Sequence, residues 1–291
     1  MTWTTGAQWG LPPVIEAPVW WATLVVAILA VFFVTELLYG LRLIVRRDED
    51  ALLFWLVMLG SVTVYPYFVE PWIDVIGATT YMTNFLPYVT IADRPLPIFV
   101  LGVWGGGTAM ATVWTYRLMK RGVPASLLVT GAVAFGVVEC IGEMLNSHFG
   151  LMLYYSNNAL VFGVPMPSLV QNGGWIVLSA WAYAVVVPQL HGWRWAVIPF
   201  VSPAVYLAYT VVCTAPSYFA IHTGLGPGPS WPLAVLSTSL NLLVVAAAAY
   251  SPTLQRLRDD AASRPASRSD LATTPGAGAA QEFESTAGSS R

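Results

Sequence analysis

The chain has 291 residues, 56% hydrophobic and only 10% charged, with a mean hydropathy of +0.64. Soluble domains carry about a quarter of their residues as charge, so a soluble globular fold is excluded and an all-α integral membrane protein is indicated. The net charge of −2 says little by itself, its distribution says more, and no nucleic-acid partner is expected.

Residues 1–17 read as an external segment, and the absence of a basic run ahead of the first apolar stretch argues against a cleavable signal peptide. Seven apolar runs of roughly 20 residues follow. They extend from Pro18 to Val45, Ala51 to Val69, Pro97 to Met119, Pro124 to Leu145, Ser168 to Val187, Trp193 to Thr214 and Ser230 to Tyr250. They predict a seven-transmembrane helix bundle over residues 18–250. Residues 251–291 are rich in Ala, Ser, Thr, Gly, Arg and Asp and read as a disordered cytoplasmic tail.

Basic residues set the orientation. Arg42, Arg46 and Arg47 follow the first run, Arg117, Lys120 and Arg121 the third, Arg194 the fifth, and Arg256 and Arg258 the seventh. The opposite side has only Arg94, so the N-terminus is expected outside and the C-terminus in the cytoplasm. Trp20, Trp21, Trp72, Trp175, Trp193, Trp195 and Trp231 fall near run ends, as an aromatic belt requires. The longer connections, residues 70–96, 146–167 and 215–229, are all on the external side, where long loops cover or build a site. Lys120 is the only lysine and is cytoplasmic, which excludes a retinal Schiff base in the seventh helix.

Glu139, Glu143 and Asn146 in the fourth run are spaced i, i+4, i+7 and share one helix face. An ionised group at membrane depth costs roughly 3 kcal/mol or more, and two such charges a turn apart repel. One of the pair is therefore expected to keep a proton it can donate. A hydrogen bond to Asn172 or Asn241 is the structural alternative. Glu139 is the first choice for the acid. Of the fifteen acidic residues, Glu70 and Asp74 also gather at the external end, in Glu70-Pro-Trp-Ile-Asp74, where Pro71 suits the first turn of a new helix with Glu70 at its cap. Glu36, in the first run, is a weaker candidate that reads as a paired buried acid or a snorkelling one. Tyr81, Asn84, Asn146, His148, Tyr154, Tyr155, Asn172 and Trp175 are candidate substrate-binding residues around these acids.

The segment from Ser147 to Pro165 is apolar and aromatic and suits a re-entrant or interfacial lid. His148, His191 and His222 lack the spacing of a helical metal site, and Cys140 and Cys213 read as buried apolar-like residues. No metal or redox cofactor is expected, since dinucleotide, haem and thiolate signatures are missing. Gly105-Gly106-Gly107 suits close helix packing rather than phosphate binding.

The run Glu139-x2-Gly142-x6-Phe149-Gly150-x3-Tyr154-x8-Gly163-Val164-Pro165 resembles that of membrane carotenoid hydratases, with Met152 in place of a second tyrosine. The wider layout, with Glu70-Pro71 closing the second run, Tyr81 and Asn84 in the following loop and a glutamate late in the fourth, is similar to the actinobacterial family of the avermectin spiroketal cyclase. It also shares its chemical logic with membrane terpene cyclases. These resemblances imply cofactor-free acid catalysis, cyclisation or hydration, on a lipophilic isoprenoid or polyketide-type substrate in secondary metabolism. The partners expected are that substrate and membrane lipids. A proton-coupled carrier or lipid-handling protein is the alternative, though no inverted internal repeat is visible.

Overall fold

A computed structural model describes residues 12–85 and 88–263. Of the expected segments, residues 1–11 of the N-terminal stretch and 264–291 of the tail lie outside these. Seven stretches are long and apolar enough to cross a membrane: Val19–Val45, Ala51–Gly77, Ile98–Lys120, Ala125–His148, Ser168–Gln189, Gly192–Cys213 and Pro227–Ala249. The molecule is a mostly helical, multi-pass membrane protein. All seven expected runs are present, and the largest displacement is in the second, which continues to Gly77.

That continuation has a local cause. After α1 (Val19–Val45) and α2 (Ala51–Val64), residues Tyr65–Val69 form a π-helical turn that leads into α3 (Glu70–Gly77). Pro66 and Pro71 lack amide donors, and the wider turn accommodates them without breaking the rod. Glu70 is thus not a cap in a solvated loop but the first residue of α3, and both Glu70 and Asp74 are buried. Ala78, left-handed at φ 53°, ends the helix and turns the chain into β1 (Thr79–Tyr81). A hairpin of β2 (Tyr88–Ile91) and β3 (Arg94–Pro97) follows.

The third span is interrupted. It consists of α4 (Ile98–Gly105) and α5 (Thr108–Lys120). The glycine triplet does serve close packing, since a Cβ on Gly105 would meet the Phe33 ring at 3.0 Å and one on Gly106 the Leu29 carbonyl at 3.2 Å. It also stops the helix, leaving amides at the start of α5 with no helical partner. Glu36 of α1 supplies one: Gly107 N donates to Oε2 at 2.7 Å and Met110 N to Oε1 at 2.6 Å. In hydrocarbon no water is at hand to do this, so the Glu36 carboxylate has a structural task.

Next come α6 (Ala125–His148), β4 (Met152–Tyr154), a hairpin of β5 (Leu160–Val161) and β6 (Val164–Pro165), and α7 (Ser168–Val186). The chain then runs through α8 (Ile198–Cys213), α9 (Ala215–His222) and α10 (Pro227–Ala249). Helix α7, in the fifth span, is central, packed by α5, α6, α8 and α10: 78% of its most apolar stretch is buried, against 11% for α1. Helices α6 and α7 approach closely because a Cβ on Gly136 would strike the Leu169 carbonyl and one on Gly173 that of Ala132. Strand β1 pairs antiparallel with β4, Thr79 opposite Tyr154 and Tyr81 opposite Met152, which ties the end of α3 to the end of α6.

The expected tail does not begin disordered. Pro252–Ser263 is helix α11, because Leu254 and Leu257, three apart, give it an apolar stripe. Leu254 is buried, Leu257 packs on the core, and Arg258 Nη1 donates to the Ala249 carbonyl at 3.2 Å.

Candidate active site

At the strand-bearing end of the helices is a cavity of about 390 Å³, a size suited to a small organic ligand. Glu70 and Asp74 from α3 and Glu139 and Glu143 from α6 all line it. Two helices with no sequence proximity bring the four acids together, and the β1–β4 pair fixes the ends of both.

The acids are held differently. Glu70 Oε1 accepts from the Tyr81 hydroxyl and Oε2 from Trp104 Nε1 at 3.0 Å. Glu143 Oε1 accepts from Asn172 Nδ2 at 2.8 Å and Oε2 from the Tyr154 hydroxyl at 3.0 Å. Burial pushes both phenols well above their usual range, Tyr81 and Tyr154 alike, so each stays protonated and donates. Glu139 is different: its Oε2 is sealed from solvent and has no hydrogen-bond partner among the described residues. A buried carboxyl without donors is costly as an anion and suited to carrying a proton. Asp74 also has a buried, unpartnered oxygen, Oδ2, and sits within electrostatic reach of Arg94 and Glu70.

No protein-family model, curated protein or solved structure matches this chain. The chemistry of the cavity is carried by its own atoms.

Several expected site residues are here. Tyr81, Asn146, Tyr154, Asn172 and Trp175 line the cavity. The Glu143–Asn172 bond makes real the structural alternative for that acid, but not for Glu139. Asn241 bonds elsewhere, its Nδ2 donating to Thr214 Oγ1 at 3.2 Å.

Three expected residues are elsewhere. Asn84 exchanges hydrogen bonds with the backbone of Ala17, at 3.0 Å to its N and 2.9 Å to its O, and pins the segment before α1. His148 is exposed on the far side of α6, its ring 4.9 Å from that of Phe149. Tyr155 follows Tyr154 along an extended chain and so points the opposite way. Its ring meets the Arg94 guanidinium at 5.6 Å. Arg94 itself, expected as a lone external cation, is buried with Nε unpartnered. Trp175, expected in an aromatic belt, is instead buried on α7. Among the described residues, no three of His, Cys, Asp and Glu converge as a metal-binding group.

Sequence reasoning missed most of the aromatic floor. Trp104, Trp175 and Tyr206 line the cavity, with ring centroids 5.1 to 5.8 Å apart. Tyr65 stacks on Trp104 at 4.2 Å from beneath. The Tyr65 hydroxyl is bonded to Ser202 Oγ at 2.8 Å, which donates to Ser179 Oγ at 2.8 Å. The available signal was an indole N–H placed in an apolar helix, since a buried Trp needs an acceptor. Aromatic ring faces attract positive charge.

Proposed function

We propose that this protein is an integral membrane acid/base enzyme, with no redox cofactor, that starts the cyclisation or hydration of a lipophilic isoprenoid or polyketide-type substrate by protonating it. The observation that carries the reading is the contrast among the carboxylates: one unpartnered acid, Glu139, beside two that are each held by two donors. Glu139 delivers its proton to an alkene, epoxide or ketal oxygen at the end of the substrate. The electron-rich faces of Trp104, Trp175 and Tyr206 support the resulting cation, at roughly 1–2 kcal/mol each when desolvated. Glu143 or Glu70, each oriented by two donors, takes up a proton at the end of the cycle, and its return to Glu139 closes the proton balance. Whether water or an internal double bond captures the cation decides hydration against ring closure.

The positive-inside pattern supports an orientation with the N-terminus outside, the cavity toward the external half of the cell membrane, and the C-terminus in the cytoplasm. Incubating purified protein in proteoliposomes with candidate polyenes and epoxides, followed by product analysis, tests the reading. Wild type is expected to form a cyclised or hydrated product, and Glu139→Gln to lose at least about 10²-fold of that rate. Full turnover by the Gln variant overturns the assignment.

A second reading, proton-coupled transport, draws on the interruption of the third span at Gly106–Gly107, since broken helices recur in carriers. Uptake of labelled substrate without chemical change would select it.

A further inference from the structure

The cavity wall has a gap on the lipid side. Phe32 of α1, Val103 of α4 and Gly142 of α6 line the cavity, yet Phe32 is 50% and Val103 40% exposed, and Gly142 is exposed as well. A Cβ built on Gly142 would meet nothing within 4 Å, so this side of α6 faces open space. Helix α1 packs on α2, α4 and α5, whereas α6 packs on α7 and α10. Toward the strand-bearing end α1 and α6 are latched. Trp21 Nε1 donates to Asn146 Oδ1 at 3.2 Å, and the rings of Trp20 and Trp21 lie 5.3 and 4.5 Å from Phe149. Away from the latch, Leu29 and Phe32 stand on one edge of the seam and Glu139 and Gly142 on the other. The route from the strand side is poorer, because Tyr81, Met82, Leu151 and Met152 are all buried there.

We propose that the cavity is loaded sideways from the bilayer, through the seam between α1 and α6, by an elongated and mostly apolar molecule. Its reactive end lies beside Glu139 while its tail stays among the lipid chains, and Gly142 sets the width of the opening. Volume argues for this: about 390 Å³ takes a compact molecule, or one end of a long one, and a seam open to lipid gives the remainder somewhere to lie. Glu139 is on the rim of that seam, half-buried as a residue with one oxygen sealed inside. The inference rests on reading the cavity as a site of chemistry on a lipophilic substrate.

The test uses the full-length protein in proteoliposomes and two carbodiimides. These reagents add the O–H of a protonated carboxylic acid across a C=N bond, and the adduct rearranges to a stable N-acylurea with no leaving group. Dicyclohexylcarbodiimide partitions into the bilayer, whereas a cationic carbodiimide stays in water. Peptide mass spectrometry then follows modification of Glu139. The expected result is preferential modification by the lipid-soluble reagent, slowed about tenfold by Gly142→Trp. Phe32→Ala, which widens the seam, should speed it. Leu127→Trp, exposed on the same helix about four turns from Gly142 and outside the cavity, should leave it unchanged. Because Phe32→Ala acts in the opposite sense, it keeps the test valid if the tryptophan variant at 142 fails to fold. Equal rates with both reagents, no modification of Glu139 by either, or indifference to the seam variants overturns the proposal. Seam-dependent labelling in a protein that forms no product leaves the entry route standing and removes the chemistry. Product formation with labelling indifferent to the seam removes the route alone.

Discussion

Glu139 and Glu143 are one turn apart on the same helix, yet only Glu143 has both oxygens bonded. Tyr154 and Tyr81 make the difference for the bonded acids, and both phenols are pushed up by burial. An acid whose folded value is raised contributes stability that is fully present below its unfolded value, about pH 10 for tyrosine, and lost as pH climbs past it. The solubilised protein should therefore lose melting temperature above about pH 10, and a Tyr81→Phe/Tyr154→Phe double variant should lose it less steeply in the same scan. The shared helical face of Glu139, Glu143 and Asn146 was legible in the sequence because 3.6-residue periodicity orders side chains without knowledge of the fold. Asn172 was legible as a partner for the same reason, being an amide that opens an apolar helix. His148, Asn84 and Tyr155 fall outside the cavity lining because nearness in a loop does not give direction, and a one-residue step along extended chain reverses it. Trp104 and Tyr206 look like ordinary membrane aromatics until an indole N–H is seen to reach Glu70.

The interrupted third span shows how a charged side chain can be needed for helix geometry rather than for chemistry. Glu36 is fully buried and binds two amides at the start of α5. Glu36→Ala would leave those donors unsatisfied in hydrocarbon, at about 1–3 kcal/mol for each buried group. A lower melting temperature in detergent is expected, with Glu36→Gln intermediate because its amide oxygen can still accept one bond. Seven spans were readable because each carries its own hydropathy. The π-turn that carries the second past Val69 was not, since prolines more often end a helix and only packing around Tyr65 selects the wider turn. The segments that hold Tyr81 and Tyr154 repeat a plan on a small scale: each tyrosine follows its glutamate by 11 residues, from helix end to paired strand. Two residues are too few for a repeat to be visible in a sequence alone.

Across the molecule, the two ends are built on different forces. Away from the strands, Arg117 of α5 gathers the turn between α1 and α2, with Nε donating to Asp50 at 2.8 Å, Nη1 to the Tyr39 hydroxyl at 2.9 Å, and Nη2 to Asp48. Lys120 adds Glu49 at 2.5 Å. Arg117→Ala would leave two neighbouring aspartates facing each other, and because the Arg117 and Asp50 side chains are largely buried the cost is about 3 kcal/mol. Thermal unfolding of the solubilised protein measures it. At the other end the short β1–β4 ladder fastens α3 to α6 and leaves α1 out. The acidic side chains thus belong to a braced frame, and α1 meets it at fixed points, the Trp21–Asn146 latch and the Glu36 bonds to α5, with the seam between them. On the proposed reading, a bulky guest would part α1 from α6 between those anchors and leave the spacing of the acids to the β1–β4 brace.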